Sequence, residues 1–350
     1  MYLDNVIKSA QVAAMPQITY SEIVEDSLHM VEVEGAGQMA LLKAEASAHI
    51  LGSEAPSDWW VKIKTVARKI FEMLKNLITK VFAYIKAVPT KVGSLITRLL
   101  TQWEKVGMKS KIDRINKKTG IKVRFASAQD VKGRDFGPIF GSINGFPSHG
   151  GAVRNALDAW AAATVTAMDN IGNINKEDND KLEEQIQAEK ETVITAENKY
   201  KDKVEEFKRT EYKPFDSIFP TGGNVDDNTA VPPGVLTLIT NGWNALKNKV
   251  CEKNAVTAMS NCEKGTRSAA KNYRLAMAAY ERCTRDEDEN GVRNALERAK
   301  QLRAMITTCG RQAAVYGSLN YKDALTIAKI VNAGISCCKG GETKSTKSYT

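Results

Sequence analysis

The first 250 residues of this 350-residue chain contain no cysteine, and the whole chain has only nine prolines and 7% aromatic residues. Few prolines and few aromatic residues argue against an all-β protein, and long stretches without glycine or proline favour helices. No apolar run approaches the roughly 18–20 residues that a membrane-spanning helix needs. The N-terminus has neither a basic segment nor a continuous apolar segment, so we expect no Sec signal peptide. The sequence predicts a mainly α-helical protein that is made in a cytoplasm.

The motifs of common catalytic sites are missing as well. The three histidines, His29, His49 and His149, are isolated, and there is no H-E-x-x-H, G-x-S-x-G, P-loop or G-x-G-x-x-G that opens a helix after a strand. No C-x-x-C is present and the histidines lie far from the cysteines, which argues against a zinc site. We therefore expect no enzyme activity, no metal and no cofactor.

Six cysteines lie in the last hundred residues: Cys251, Cys262, Cys283, Cys309, Cys337 and Cys338. An even number permits three disulfides, which can be connected in fifteen ways. The alternative is that they are free thiols packed as small apolar side chains, which is usual for cytoplasmic proteins. Cytoplasmic synthesis favours the free thiols.

The charge of the chain reverses between residues 54 and 62. Residues 1–54 contain eight acidic residues and two lysines, a net charge of −6. Residues 55–118 contain fifteen Lys or Arg and four acidic residues, a net charge of +11, and the whole chain stands at +9. If the acidic head were removed at Glu54, the remainder would carry +15. A strongly cationic protein favours an anionic partner or surface.

Residues 59–88 have the clearest helical pattern in the chain. Apolar residues recur there at three- and four-residue steps: Trp59, Trp60, Ile63, Val66, Ala67, Ile70, Leu74, Leu77, Ile78, Val81, Ile85 and Val88. Candidate anion-binding residues fill the other positions: Lys62, Lys64, Arg68, Lys69, Lys75, Lys80 and Lys86. Pro89 is expected to end this helix, and a second basic helix is expected to continue to about residue 106.

Three interpretations of residues 59–106 remain open at this point. The segment can be an ordinary helix whose apolar face packs on the rest of the fold. It can lie on a membrane surface, which its basic face and paired tryptophans would suit. It can also contact nucleic acid, with lysines neutralising phosphates without recognising sequence.

The remaining segments predict the domain organisation. An acidic helical leader (1–54) and basic amphipathic helices (55–118) form an elongated N-terminal region. A Gly-rich connector of irregular or β structure (119–150) follows, in which residues 121–125 alternate as a short strand does. We expect an independently folding α-helical bundle at 151–338, with helices near 151–169, 175–212, 234–262, 265–284, 290–309 and 321–336. Residues 339–350 are expected to be a disordered tail.

Three glutamates of the acidic head precede a small residue: Glu34 before Gly35, Glu45 before Ala46, and Glu54 before Ala55. With the Trp- and Lys-rich helix that follows, the first ~110 residues resemble the internal head or prohead-core proteins of large tailed phages. The resemblance implies that the leader targets the protein into the prohead. It also implies that a phage protease removes the leader after a glutamate followed by Ala, Gly or Ser.

The resulting hypothesis is a non-enzymatic virion protein inside a phage head. Its partners would be capsid or prohead-core proteins, the prohead protease, and DNA bound by non-specific electrostatics. The alternative is a membrane-active helical protein, a toxin or an ejected pore component, that uses residues 59–106 at an anionic membrane surface. Cleavage between Glu54 and Ala55 is favoured over the two upstream sites because Pro56 separates two helices there.

Overall fold

The computed structural model describes residues 56–123, 151–173, 179–210 and 235–343. The protein is mainly α-helical, as the sequence predicts. In chain order the elements are α1 (Pro56–Lys105), α2 (Met108–Asn116), β1 (Lys118–Val123), α3 (Gly151–Asn173), α4 (Asn179–Thr210), α5 (Val235–Lys247), α6 (Val250–Arg285), α7 (Glu289–Cys337) and β2 (Cys338–Thr343). The predicted leader and most of the predicted connector lie outside the described residues.

Helix α1 continues through Pro89 and does not end there, so the prediction of two helices is wrong. A proline inside a helix removes one backbone hydrogen bond and costs about 3 kcal/mol. Val88 and Val92, on either side of the proline, are both buried in the core. Burial of one such side chain contributes roughly 1.5–3 kcal/mol, so packing on both sides outweighs the cost of the proline.

Helix α7 is also one helix where the sequence predicts two, at 290–309 and 321–336. Gly310 and Gly317 both lie inside it. A Cβ at position 317 would lie 3.0 Å from Cγ1 of Val88. Glycine therefore allows α7 to approach α1 closely, and the packing offsets the low helix propensity of glycine.

The core consists of two clusters that share three long helices. The first contains the apolar residues of α1 from Ala67 to Val88 together with α3, α4, α6 and α7. The second contains the α1 residues from Val92 to Trp103 together with α2, α5, the start of α6 and the end of α7. Helices α1, α6 and α7 run through both clusters and hold them together.

Helix α1 therefore belongs to the same core as the C-terminal helices. The sequence-based division into a basic helical segment (55–118) and an independent bundle (151–338) does not describe this packing. Among the described residues of the segment 55–118, only the short helix α2 is available to cover the apolar face of α1. Burial of that face requires α6 and α7, which the sequence supplies more than a hundred residues later.

The two strands join the end of the first described range (56–123) to the end of the last (235–343). Strands β1 and β2 pair antiparallel, with Lys118 opposite Thr343 and Val123 opposite Cys338. The prediction of a strand at 121–125 is confirmed for residues 121–123. The disordered tail predicted from 339 is wrong for residues 339–343, because pairing with β1 satisfies backbone groups of that segment. Local sequence gave no signal, since Gly340 and Gly341 are unfavourable in strands.

Candidate anion-binding surface

A row of buried aromatic contacts fixes the orientation of α1. Phe71 lies in the core with its ring centroid 5.3 Å from that of Tyr280 and 5.9 Å from that of Tyr273, both on α6. The Tyr280 hydroxyl donates a hydrogen bond to the carbonyl oxygen of Lys64, at 3.2 Å. At the other end, the Trp103 ring stacks on Trp243 of α5 at 5.4 Å. Because the apolar face is held at both ends, the basic residues point outward.

The predicted anion-binding residues lie on the exposed side of α1. Lys64, Arg68, Lys69, Lys75, Lys80 and Lys86 are all exposed, and Lys62 occupies the first turns of the same helix. Exposed cations continue beyond Pro89 and onto α2, outside the predicted set. The additional exposed residues are Lys91, Arg98, Lys105, Lys109, Lys111, Arg114 and Lys117. The helical period running on past Pro89 was the signal that could have identified those on α1.

The helical period divides the α1 cations into two rows. Intervals of 7, 11 and 18 residues are close to whole numbers of turns, so residues at these spacings share a line along the helix. The first row, named the α6-side row, contains Lys64, Arg68, Lys75 and Lys86. The second, named the α7-side row, contains Lys69, Lys80, Lys91, Arg98 and Lys105, with Lys62 on the same line.

Tyrosines on the neighbouring helices show which flank each row occupies. Burial raises the pKa of Tyr280 on α6, and the positive charge of nearby Arg68 partly opposes that rise. Burial likewise raises the pKa of Tyr321 on α7, and there the opposing charge is Arg98. The two rows therefore lie on opposite flanks of α1, one towards α6 and one towards α7.

Acidic residues accompany the α6-side row. Glu104 is 18 residues, five turns, beyond Lys86 and lies on the same line. Between them, the Glu252 carboxylate of α6 rests against Gly93: a Cβ there would lie 2.6 Å from its Cδ. Glu72 lies between the two rows, seven residues from Thr65 and from Thr79, and its charge contributes to the raised pKa of Tyr273, whose main cause is burial. Between Lys69 and Lys105 of α1, no acidic residue lies on the line of the α7-side row.

Mostly small residues, together with Glu72 and Asn76, separate the two rows. The exposed ridge of α1 between them includes Thr65, Thr79, Ala83, Thr90, Ser94 and Thr101. The Thr65 and Thr79 hydroxyls donate to the carbonyl oxygens four residues earlier, each at 2.9 Å. Thr97 and Thr101 do the same, at 3.0 and 2.9 Å. Hydroxyls bonded to the backbone leave a low surface that the longer basic side chains can reach across.

A second polar cluster lies between α3 and α7, inside the protein. Arg154 pairs with buried Asp323, and the hydroxyl of Tyr316 donates to Asp158. The Gln312 amide donates to the Thr164 hydroxyl at 2.8 Å and to the Trp160 carbonyl oxygen at 3.1 Å. These hydrogen bonds and the ion pair join α3 to α7 and fix the register of the two helices. Among the described residues, no group of His, Cys, Asp and Glu has a metal-binding arrangement.

Four of the cysteines, Cys251, Cys262, Cys283 and Cys309, are free and buried on α6 and α7. Burial raises the pKa of the Cys251 and Cys309 thiols to about 12, so both are protonated at neutral pH. A protonated, buried thiol is a poor nucleophile and metal ligand. These cysteines serve as small core residues.

The predicted processing residues Glu34, Gly35, Glu45, Ala46, Glu54 and Ala55 lie outside the described residues, which begin at Pro56. No protein-family model, curated protein or solved structure matches the chain. In the described ranges, none of the helices combines the length and the apolar character that crossing a bilayer requires.

Proposed function

We propose that this chain is a non-enzymatic virion protein of a tailed phage, packaged inside the head by an acidic leader that a prohead protease removes. Its cationic α1–α2 surface binds DNA without sequence selection, and capsid or prohead-core proteins are its protein partners. The supporting observation is the charge of that surface. From Lys64 to Lys117 it has thirteen exposed basic residues and three exposed acidic residues.

The position of this surface supports a role in binding. Lysines on a helix with an unpacked apolar face would act mainly to keep that helix soluble. Here the apolar face is already buried against α6 and α7. The basic residues are thus held on a fixed rod roughly 75 Å long for the 50 residues of α1. Such a rod presents an extended cationic line to a polyanion, and DNA affinity then depends on the number of phosphates neutralised.

Removal of the leader would regulate this binding. Residues 1–54 carry −6 and directly precede the basic rod. Their removal raises the charge of the protein from +9 to +15 in one step. A protein that enters a prohead before DNA would gain DNA affinity by this cleavage, because the acidic segment no longer competes with phosphates for the lysines.

The membrane-active alternative makes a different demand on α1. Its apolar residues, including Phe71, Leu95 and Trp103, are nearly inaccessible to solvent in the described fold. Insertion of that face into a membrane requires α1 to separate from α6 and α7. Release of dye from anionic vesicles by the intact folded chain would favour this alternative over DNA binding.

A cleavage experiment tests the proposal. A recognition sequence for a specific protease is placed at the Glu54–Ala55 junction. The full chain is folded, and half of the sample is then cut with the protease. Retention on duplex DNA is measured for cut and uncut protein between roughly 50 and 200 mM salt, over which proteins with 6–10 phosphate contacts lose about 10³–10⁵ in affinity. We expect tighter, salt-sensitive binding by the cut protein. DNA retention that does not depend on salt, or none at all, contradicts the proposed function.

Mass spectrometry of the protein from mature particles tests the leader separately. We expect a species that begins at Ala55, with Ala46 or Gly35 as lesser variants. Intact peptides from Met1 or Tyr2 at full abundance in mature particles would end the leader hypothesis, and would leave the DNA-binding surface to be judged by the retention experiment.

A further inference from the structure

We propose that the α7-side row, and not the α6-side row, is the line along which α1 contacts the phosphates of duplex DNA. This inference rests on the proposed function and specifies which residues carry it. The five described members, Lys69, Lys80, Lys91, Arg98 and Lys105, are all exposed. They are the cations that the sequence-based selection of 59–88 mostly omitted.

The first argument is the sign of the charge along each row. A phosphate approaching the α6-side row beyond Lys86 meets the carboxylates of Glu252 and Glu104. Like charges repel the ligand there, and the Lys249 ammonium group, 3.3 Å from the Glu252 carboxylate, offsets only part of this repulsion because Glu104 lies on the same line. Between Lys69 and Lys105 no carboxylate of α1 lies on the line of the α7-side row, and Glu72 lies beside it, three residues from Lys69. The α7-side row has fewer cations per turn than the α6-side row, but its line continues further before it meets a carboxylate.

The second argument is length. The 36 residues from Lys69 to Lys105 correspond to roughly 54 Å at 1.5 Å per residue. One turn of duplex DNA is roughly 34–36 Å, so a duplex that lies parallel to this row extends about one and a half turns along it. The uninterrupted part of the α6-side row, from Lys64 to Lys86, is roughly 33 Å long. Only the α7-side row extends beyond a full turn.

The third argument is that the row is supported on its inner side. Lys91 Nζ lies over the Tyr84 ring, 5.6 Å from its centroid, which positions the ammonium group without neutralising it. The ridge on its outer side consists mostly of small residues, and beyond Glu72 and Asn76 no larger side chain of the ridge separates the cations from an approaching phosphate backbone. The cations of this row are therefore accessible along its whole described length.

Charge-matched variants of the full chain, each folded and then cut at the protease site placed at the Glu54–Ala55 junction, test the proposal. One variant carries Lys69→Gln, Lys80→Gln, Arg98→Gln and Lys105→Gln, and the control carries Lys64→Gln, Arg68→Gln, Lys75→Gln and Lys86→Gln. Each loses four positive charges from exposed positions of the same helix. The probe is a 30-base-pair duplex of mixed sequence, titrated at several salt concentrations. Circular dichroism and urea unfolding verify that both variants keep the fold.

We expect the α7-side variant to lose most of the salt dependence. Each lost phosphate contact lowers the slope of log K against log salt by about 0.9, so the four substitutions should lower it by about 3–4. At ~0.1 M salt this corresponds to a loss of affinity on the order of 10³-fold. The control should lose about one unit of slope or less.

Two results overturn this inference, and they are distinguishable from failure of the proposed function. Equal losses in both variants mean that only net charge matters, and a larger loss in the control places the contact on the α6 side. In both cases the wild-type chain binds DNA and the proposed function stands. Absence of salt-dependent binding by the wild-type chain cut at the Glu54–Ala55 junction rejects the proposed function together with this inference.

Discussion

Arg154 of α3 and Asp323 of α7, which are 169 residues apart in the chain, form an ion pair inside the helical core. The Asp323 side chain is only 2% exposed, whereas that of Arg154 is 18% exposed. Asn320 also accepts a hydrogen bond from the same guanidinium group, at 3.4 Å. Burial makes the pair sensitive to loss of either member, since an unpaired buried charge has no water to solvate it.

The first prediction concerns this pair. Arg154→Ala leaves the Asp323 carboxylate buried without its cation, and we expect the free energy of unfolding to fall by about 3–5 kcal/mol in urea. Arg267→Ala is the control, because it removes a more exposed pair with Glu263 and should cost about 1 kcal/mol or less. A loss at Arg154 no larger than the loss at Arg267 would show that the buried pair is unimportant for stability.

The second prediction concerns the contact between α6 and α7 at Gly265. A Cβ at this position would lie 2.8 Å from Sγ of Cys309, and both residues are buried. Gly265→Ala should therefore destabilise the protein by about 1–3 kcal/mol through overpacking, despite the better helix propensity of alanine.

The double variant Gly265→Ala with Cys309→Ala supplies the check. Removal of the sulfur opens the space that the new methyl group needs, so the two effects should not add. An unfolding free energy of the double variant equal to the sum of the single effects would mean that the two residues do not interact.

The third prediction concerns alkaline pH. The pKa values of the Cys251 and Cys309 thiols rise from 9.0 to about 12 on folding, mainly because burial disfavours the thiolate. The folded state then holds protons that the unfolded state releases between about pH 9 and pH 12, so stability falls as pH rises through that range. Cys251→Ala with Cys309→Ala should make this fall shallower in urea titrations at a series of pH values. Below pH 8 the double variant and the wild type should show the same pH dependence.

The fourth prediction concerns the boundary between the basic segment and the C-terminal helices. A fragment of residues 151–350 lacks α1, whose core residues include Phe71, Ile85, Leu95 and Trp103. The fragment lacks the stabilisation of roughly 1.5–3 kcal/mol that burial of each of these side chains contributes. The surfaces of α6 and α7 that face α1 become exposed. We expect the fragment to bind a hydrophobic dye and to lack a cooperative urea transition, in contrast to a chain of residues 55–350. A cooperatively unfolding monomeric fragment would restore the independent bundle that the sequence suggested.

Much of the secondary structure could be predicted because its causes are local. The recurrence of apolar residues at three- and four-residue steps identified α1 and most of the other helices. The same period placed Lys64, Arg68 and Lys86 on the outside of α1, as the structure has them. Breaks were predicted less well: Pro89 and Gly317 both lie inside continuous helices, because burial of Val88 and Val92 and the close approach of α7 outweigh their intrinsic cost.

The sequence by itself determined the helical class of the protein, the amphipathic nature of α1 and the reversal of charge at residue 54, since each is a property of neighbouring residues. Only the tertiary structure decided that strand β2 pairs with β1 and that Glu252 rests against Gly93. Those contacts join residues that are far apart in the chain, and no local pattern encodes them. The difference between the two cationic rows arises in part in this way, because α6 carries a carboxylate to one flank of α1.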